Sequence, residues 1–181
     1  EANKIAVEWF NAKLRQANAE IDDLFKKYRI SEALMTVYKL FWDEFSSWYL
    51  EMVKPAYGQP INKTTYEATL KFFENLLKML HPFMPFITEE LWQHIYERKD
   101  GESIMRDKLE ISAPTGEDMK LIEDIESVKQ IVAGVRTVRN QKNIANKETL
   151  SLQCVGENAL KDYDSVVGKM ANLTSIDVVT E

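Results

Sequence analysis

The sequence predicts a mainly α-helical fold: an antiparallel helical bundle over residues 1–97, then a small α/β appendage over residues 98–181. Three observations lead there. Apolar residues recur at alternating spacings of three and four through the first half of the chain, the period of an amphipathic helix. Prolines and capping residues cut that pattern into segments with short connections, as in bundles of antiparallel neighbours. Beyond residue 98 the period changes, and two short stretches carry the apolar alternation of half-buried strands.

In the first helix, Phe10, Leu14, Ala17, Ile21, Leu24 and Tyr28 share one face. Ser31 is placed to cap a second helix, which turns Leu34, Tyr38, Phe41, Phe45, Trp48 and Met52 inward and must stop at Pro55. Met35, Trp42 and Tyr49 form another apolar seam on it, so it is expected to be central and packed on two sides. Thr64 and Glu67 make a capping-box pattern for a third helix, with Tyr66, Leu70, Phe73, Leu77 and Leu80 inward. His81-Pro82 ends it. Thr88 is placed to cap a fourth helix, with Glu89 and Glu90 in its first turn and Ile87 and Trp92 as a hydrophobic staple. A short strand fits between residues 103 and 112. A long helix near 117–143 turns Met119, Ile122, Ile125, Val128, Val132, Val135 and Val138 inward. Leu150, Leu152 and Cys154 alternate as a strand, residues 158–172 suit a short helix, and Ile176, Val178 and Val179 suit a second strand.

Composition narrows the function classes. Of 181 residues, 45% are hydrophobic and 29% charged, values that exclude a disordered or fibrous chain. The net charge of -6 argues against a protein that coats phosphate over its whole surface, although a local basic stripe on an acidic body suffices for RNA. A lone Cys154 cannot form an internal disulfide, no secretory leader is legible, and no apolar run reaches bilayer length. A cytoplasmic protein without membrane contact is expected. Because the chain begins at Glu1 and enters a helical pattern at once, it reads as a piece of a longer polypeptide.

Catalytic chemistry finds little support. His81 and His94 have no evident partner for acid–base work, and Cys154 reads as a core residue. The six glycines are scattered rather than gathered in a phosphate loop, and no ligand spacing suits zinc. No catalytic residue, metal or cofactor is expected in this chain.

Two features suit RNA. Lys39, Asp43, Ser47, Leu50 and Lys54 project as one stripe on the outer face of the second helix, with Leu50 an apolar residue among polar ones. The second is a basic run without acids, comprising Lys129, Arg136, Arg139, Lys142 and Lys147, part of which shares a helix side and can track phosphates. A solvated helix face accounts equally for that run, and a single exposed leucine needs no special explanation.

The segment His81-Pro82-Phe83-Met84-Pro85-Phe86-Ile87-Thr88-Glu89-Glu90-Leu91-Trp92 resembles the signature of the anticodon-binding domain of valyl-, isoleucyl- and leucyl-tRNA synthetases. Phe41-Trp42-Asp43-Glu44-Phe45, followed by Trp48-Tyr49-Leu50-Glu51 and Lys54-Pro55, is similar to that domain's second helix. Val135-Arg136-Thr137-Val138-Arg139-Asn140, with Asn143-Ile144 and Leu150, resembles the segment that follows the bundle in valyl enzymes in particular. Ala171-Asn172-Leu173-Thr174-Ser175-Ile176 fits the end of the same module. The resemblance implies that the parent enzyme, a class I ligase, attaches valine to tRNA(Val) using ATP and Mg. It implies too that this portion is a monomer gripping the anticodon stem-loop beside the catalytic domain of its own chain. The family's adenylate-site signatures, His-x-Gly-His and Lys-Met-Ser-Lys, do not occur here. The family's first anticodon-contacting helix is expected ahead of residue 1, and Leu50 matches a position that faces the anticodon loop in similar enzymes. An isoleucyl or leucyl relative, or a helical protein-interaction scaffold, are the alternatives.

Overall fold

The computed structural model describes residues 1–155 and 160–179. Helix α1 (Ala2–Lys26) buries Phe10, Leu14, Ala17, Ile21 and Leu24 along the expected face, and adds Ile5, Ala6, Trp9 and Ala12. Tyr28 is a correction. The helix ends before it, its φ is +59°, and its ring is exposed.

The second rod is continuous but not uniform: α2 (Ile30–Lys39), a π-helical segment (Leu40–Tyr49) and α3 (Leu50–Val53) follow without a break. Ser31 does not cap it. The rod begins at Ile30, and the Arg29 guanidinium pairs with Glu32. Its buried residues are Ala33, Val37, Leu40, Phe45, Tyr49, Met52 and Val53. Leu34 and Tyr38 are exposed, because a π turn advances five residues between Leu40 and Phe45 where a uniform α period allows three or four. Met35 and Trp42 are exposed as well, while Tyr49 is fully buried, so the expected second seam does not form one packed face.

Helix α4 (Lys63–Leu80) is capped by Asn62, whose Oδ1 accepts from the Thr65 N–H at 2.8 Å, rather than by Thr64. Thr65, Phe72, Leu76 and Met79 face the main core, one position off the expected row, and Tyr66 is exposed. Helix α5 (Pro85–Ile95) starts three residues ahead of Thr88, with Pro85 fixing φ in the first turn. Thr88 is fully buried, its Oγ1 donating to the Met84 carbonyl at 2.8 Å and lying 2.7 Å from His81 Nδ1. Ile87 is exposed and staples nothing, while Trp92 joins Leu77 and Ile104 in a small second cluster. No strand occurs between residues 103 and 112. A 3₁₀ turn (Ile104–Arg106) inserts Ile104 into that cluster instead.

Helix α6 (Gly116–Lys142) opens with a capping box between Thr115 and Asp118. Its buried residues include Ile125, Val128 and Val132, which belong to the same apolar cluster as Phe10 and Leu14. The core therefore runs across the boundary expected at residue 97. Met119 and Val138 are exposed, contrary to expectation. Strands β1 (Leu150–Val155) and β2 (Leu173–Val179) pair in parallel, joined through a 3₁₀ turn (Lys161–Tyr163) and helix α7 (Asp164–Ala171). The expected helix start at Asn158 lies outside the described residues. The Tyr163 hydroxyl donates to Asp124 at 2.9 Å, and burial together with that carboxylate pushes the phenol up to about 12.

Two predictions test the packing. Phe10 is fully buried, with the rings of Phe45, Tyr49 and Phe72 between 5.0 and 5.2 Å away. Phe10→Ala removes that centre and should cost about 3–5 kcal/mol, read as a lowered urea midpoint at unchanged slope. Asp118 anchors α6 to α1, accepting from Arg15 Nη1 at 2.7 and 2.9 Å. Burial pushes its carboxyl up. The Thr115 N–H, the Arg15 guanidinium and the Thr115 hydroxyl more than reverse this and hold it below the ordinary 3.8. A depressed folded pKa stabilises above the unfolded value and is lost as pH falls through the folded one. The stability advantage over Asp118→Asn should accordingly be constant near neutrality and shrink below about pH 4, and an advantage that persists at lower pH would refute the brace.

Candidate nucleic-acid interface

The outer stripe of the second rod is open to solvent along its length: Lys39, Asp43, Ser47, Leu50 and Lys54 are all exposed. Leu50 is 37% exposed at the junction of the π segment with α3, so the apolar anomaly in the stripe is a surface residue. Ser47 Oγ donates to the Trp42 carbonyl five residues back at 2.9 Å, and Ser46 does the same to Phe41 at 3.1 Å. These hydroxyls satisfy carbonyls that the wide π turns present. Lys54 pairs with Glu51 at 3.2 Å, an exposed contact worth little and readily exchanged for another anion. Lys39 stands at the rim of a groove of about 620 Å³ between α1 and α2, whose lining also holds Lys13, Glu20 and Arg29.

The basic run on α6 separates into two sets. Lys129 is only 7% exposed. Its ammonium pairs with Glu44 and Glu126 and lies 4.9 Å from the Trp9 ring centroid and 5.5 Å from that of Trp48. Its charge is neutralised inside the protein, which corrects its assignment to the RNA-facing set. Arg139 is 3% exposed and donates to four backbone carbonyls: Ala145 at 3.2 Å and Glu148 at 2.8 Å through Nη1, Ala171 at 3.0 Å and Asn172 at 3.1 Å through Nη2. It too is an interior residue, with both terminal nitrogens engaged by backbone carbonyls, which corrects its assignment to the RNA-facing set. Arg136 and Lys142 are exposed, as is Lys147.

Trp48 connects the two candidate surfaces, whereas the sequence pattern points only to a core role for it. The half-buried indole lines a cleft of about 350 Å³ with Asp43 of the outer stripe and Lys129 and Gln130 of α6. Arg136 Cζ lies 5.5 Å from the same ring, with Nη2 3.4 Å from the Met170 carbonyl. A guanidinium resting on an indole keeps donors free toward solvent. The stripe and Arg136 are thus joined through one side chain. Its signal in the sequence was the local density of aromatics between Phe41 and Tyr49. Among the described residues no group of three or more His, Cys, Asp or Glu is placed to hold a metal ion, and no helix is long and apolar enough to cross a membrane.

The described residues form a helical core with an exposed polar stripe and exposed cations at one end of α6, and the comparisons with known proteins give its class. The family described as the anticodon-binding domain of tRNA ligase matches residues 7–154. The chain belongs to that family. Over 179 residues it is 62% identical to the valine–tRNA ligase of Phocaeicola vulgatus, covering 99% of this chain and 20% of that protein. The valine–tRNA ligase of Bacteroides thetaiotaomicron is 58% identical over 181 residues, with 99% and 20% covered. That of Pseudothermotoga lettingae is 32% identical over 168 residues, with 90% and 19% covered. The chain spans about a fifth of the length of these relatives.

Proposed function

We propose that this chain is the anticodon-arm-binding portion of a valine–tRNA ligase. It grips the anticodon stem-loop of tRNA(Val) as a monomer in the cytoplasm, while a catalytic domain of the same polypeptide joins valine to the tRNA with ATP and Mg. The observation that carries this reading is the 62% identity with a valine–tRNA ligase across 99% of the chain, a span that includes the residues 7–154 matched by the anticodon-binding family. The open stripe supports it. Leu50 offers an apolar contact to an unstacked base, Lys39 and Lys54 flank it with charge, and Asp43 and Ser47 supply polar groups. Unstacked loop bases are the readable part of a folded RNA, since the deep groove of an A-form stem hides its base edges. Arg136 and Lys142 extend the contact toward the phosphates.

Filter binding against tRNA(Val) and non-cognate tRNAs tests the reading. Preference for tRNA(Val) is the expected result. Equal affinity for every tRNA, or none for any, would overturn it. Leu50→Asp should weaken cognate binding at least about tenfold, or about 1.4 kcal/mol, while the circular dichroism spectrum and melting temperature stay near wild type. Unchanged affinity would remove Leu50 from the interface. Arg136→Glu should lower the slope of log affinity against log salt by about one, the equivalent of one phosphate contact.

A further inference from the structure

The carbonyl cage around Arg139 ties the loop after α6 to the end of α7. Helix α6 and helix α7 both end on asparagines in the left-handed region, Asn143 with φ +54° and Asn172 with φ +53°. Between α6 and β1, the turn that brings the Glu148 N–H to the Ala145 carbonyl at 3.0 Å is gripped from beneath. Arg139 takes the carbonyls of Ala145 and Glu148 with one nitrogen and those of Ala171 and Asn172 with the other. Asn172 Nδ2 donates to the carbonyls of Asn146 at 2.9 Å and Glu148 at 3.1 Å. A buried, planar, forked cation is the group that can hold four acceptors in two directions, and an ammonium cannot replace it.

The loop itself holds one cation and one acid, the exposed neighbours Lys147 and Glu148, and the stretch ahead of it is basic. From Gly134 to Lys147 there is no Asp or Glu, in a chain whose net charge is -6. Lys142 and Lys147 are exposed, with Asn140, Gln141 and Asn146 exposed around them. No aromatic residue lies between 134 and 147, so the loop has nothing on which a base can stack. Surface loops are ordinarily mobile, and ordering them on binding costs affinity. A loop fixed in advance by an internal cation avoids that cost.

We infer that residues 140–147 form a pre-organised contact for the phosphates of an RNA stem. Lys142 and Lys147 make the contact, and Arg139 is its positioning residue. The inference rests on the tRNA-binding reading above and adds to its Lys142 contact a second cation, Lys147, and a positioning role for Arg139. Anisotropy titrations of a tRNA(Val) transcript with the full 181-residue chain, across salt from about 50 to 200 mM, test it. The Lys142→Ala/Lys147→Ala double variant, whose changes are on the surface, should lose nearly two phosphates' worth of salt slope, about 1.8. Arg139→Lys should speed amide exchange through residues 140–148 and lower the slope in the same direction. A merely structural arginine would lower the melting temperature and leave the slope alone. A wild-type slope in the double variant overturns the proposal, as does a wild-type slope in Arg139→Lys once its loop exchanges faster. Should Arg139→Lys not fold, the double variant decides. Failure of the wild-type chain to bind the transcript at any salt overturns the tRNA reading as well. Binding with unaltered slopes overturns only this loop.

Discussion

Phe10 stands where three elements of the bundle converge. Its ring lies within 5.2 Å, centroid to centroid, of Phe45 and Tyr49 on the second rod and Phe72 on α4, and no part of it reaches solvent. One residue earlier, Trp9 turns toward α6, where the Lys129 ammonium sits over its ring. The position of every long helix is thus referenced to one turn of α1. Aromatic contacts of this kind combine large buried area with preferred ring geometry, so they fix orientation as well as adding stability. Displacing Phe10 would loosen the rod that carries the outer stripe and the helix that carries the basic corner together.

The π-helical segment follows from the same constraint. Phe45 and Tyr49 both reach Phe10, and Leu40 remains buried one wide turn earlier. Widened turns present carbonyls poorly matched to the α ladder, and Ser46 and Ser47 accept that role by donating to Phe41 and Trp42. Short π elements recur at functional sites because they re-aim side chains. Here the widened segment carries Asp43 and Ser47 and ends next to Leu50.

The order of the long helices and of the two paired strands is legible because each is long or cleanly periodic, whereas the strand expected between residues 103 and 112 is a 3₁₀ turn instead. The faces were less so. Reading a uniform helical period backward from Phe45 places Phe41, Tyr38 and Leu34 inward, whereas the π turn shifts the buried row to Leu40, Val37 and Ala33. Sequence periodicity carries no mark of a change in helix type. The fourth helix begins ahead of the cap expected at Thr88 for a different reason. Thr88 has the chemistry of a cap, but its hydroxyl is engaged inside the first turn by His81 and the Met84 carbonyl, and Pro85 already satisfies the steric demands of a helix start. The family came from motifs, above all His81 to Trp92, and the match over residues 7–154 agrees with it.

The candidate site was legible only in part, and α6 shows why. Lys129, Arg136, Arg139 and Lys142 look equivalent as a run of charge, yet the helix sorts them. Ile125, Val128, Val132 and Val135 follow one another at steps of three and four, and the next step in that row lands on Arg139 rather than on Val138. The period that placed the valines in the core also placed a guanidinium there, where burial of an ion demands full hydrogen bonding. The chain meets that demand with four carbonyls gathered from two separate helix ends, a convergence that no local pattern encodes. Charge composition located the exposed cations for which a polyanion contact is proposed. Helical phase decides which cations face outward and which one builds the surface from within.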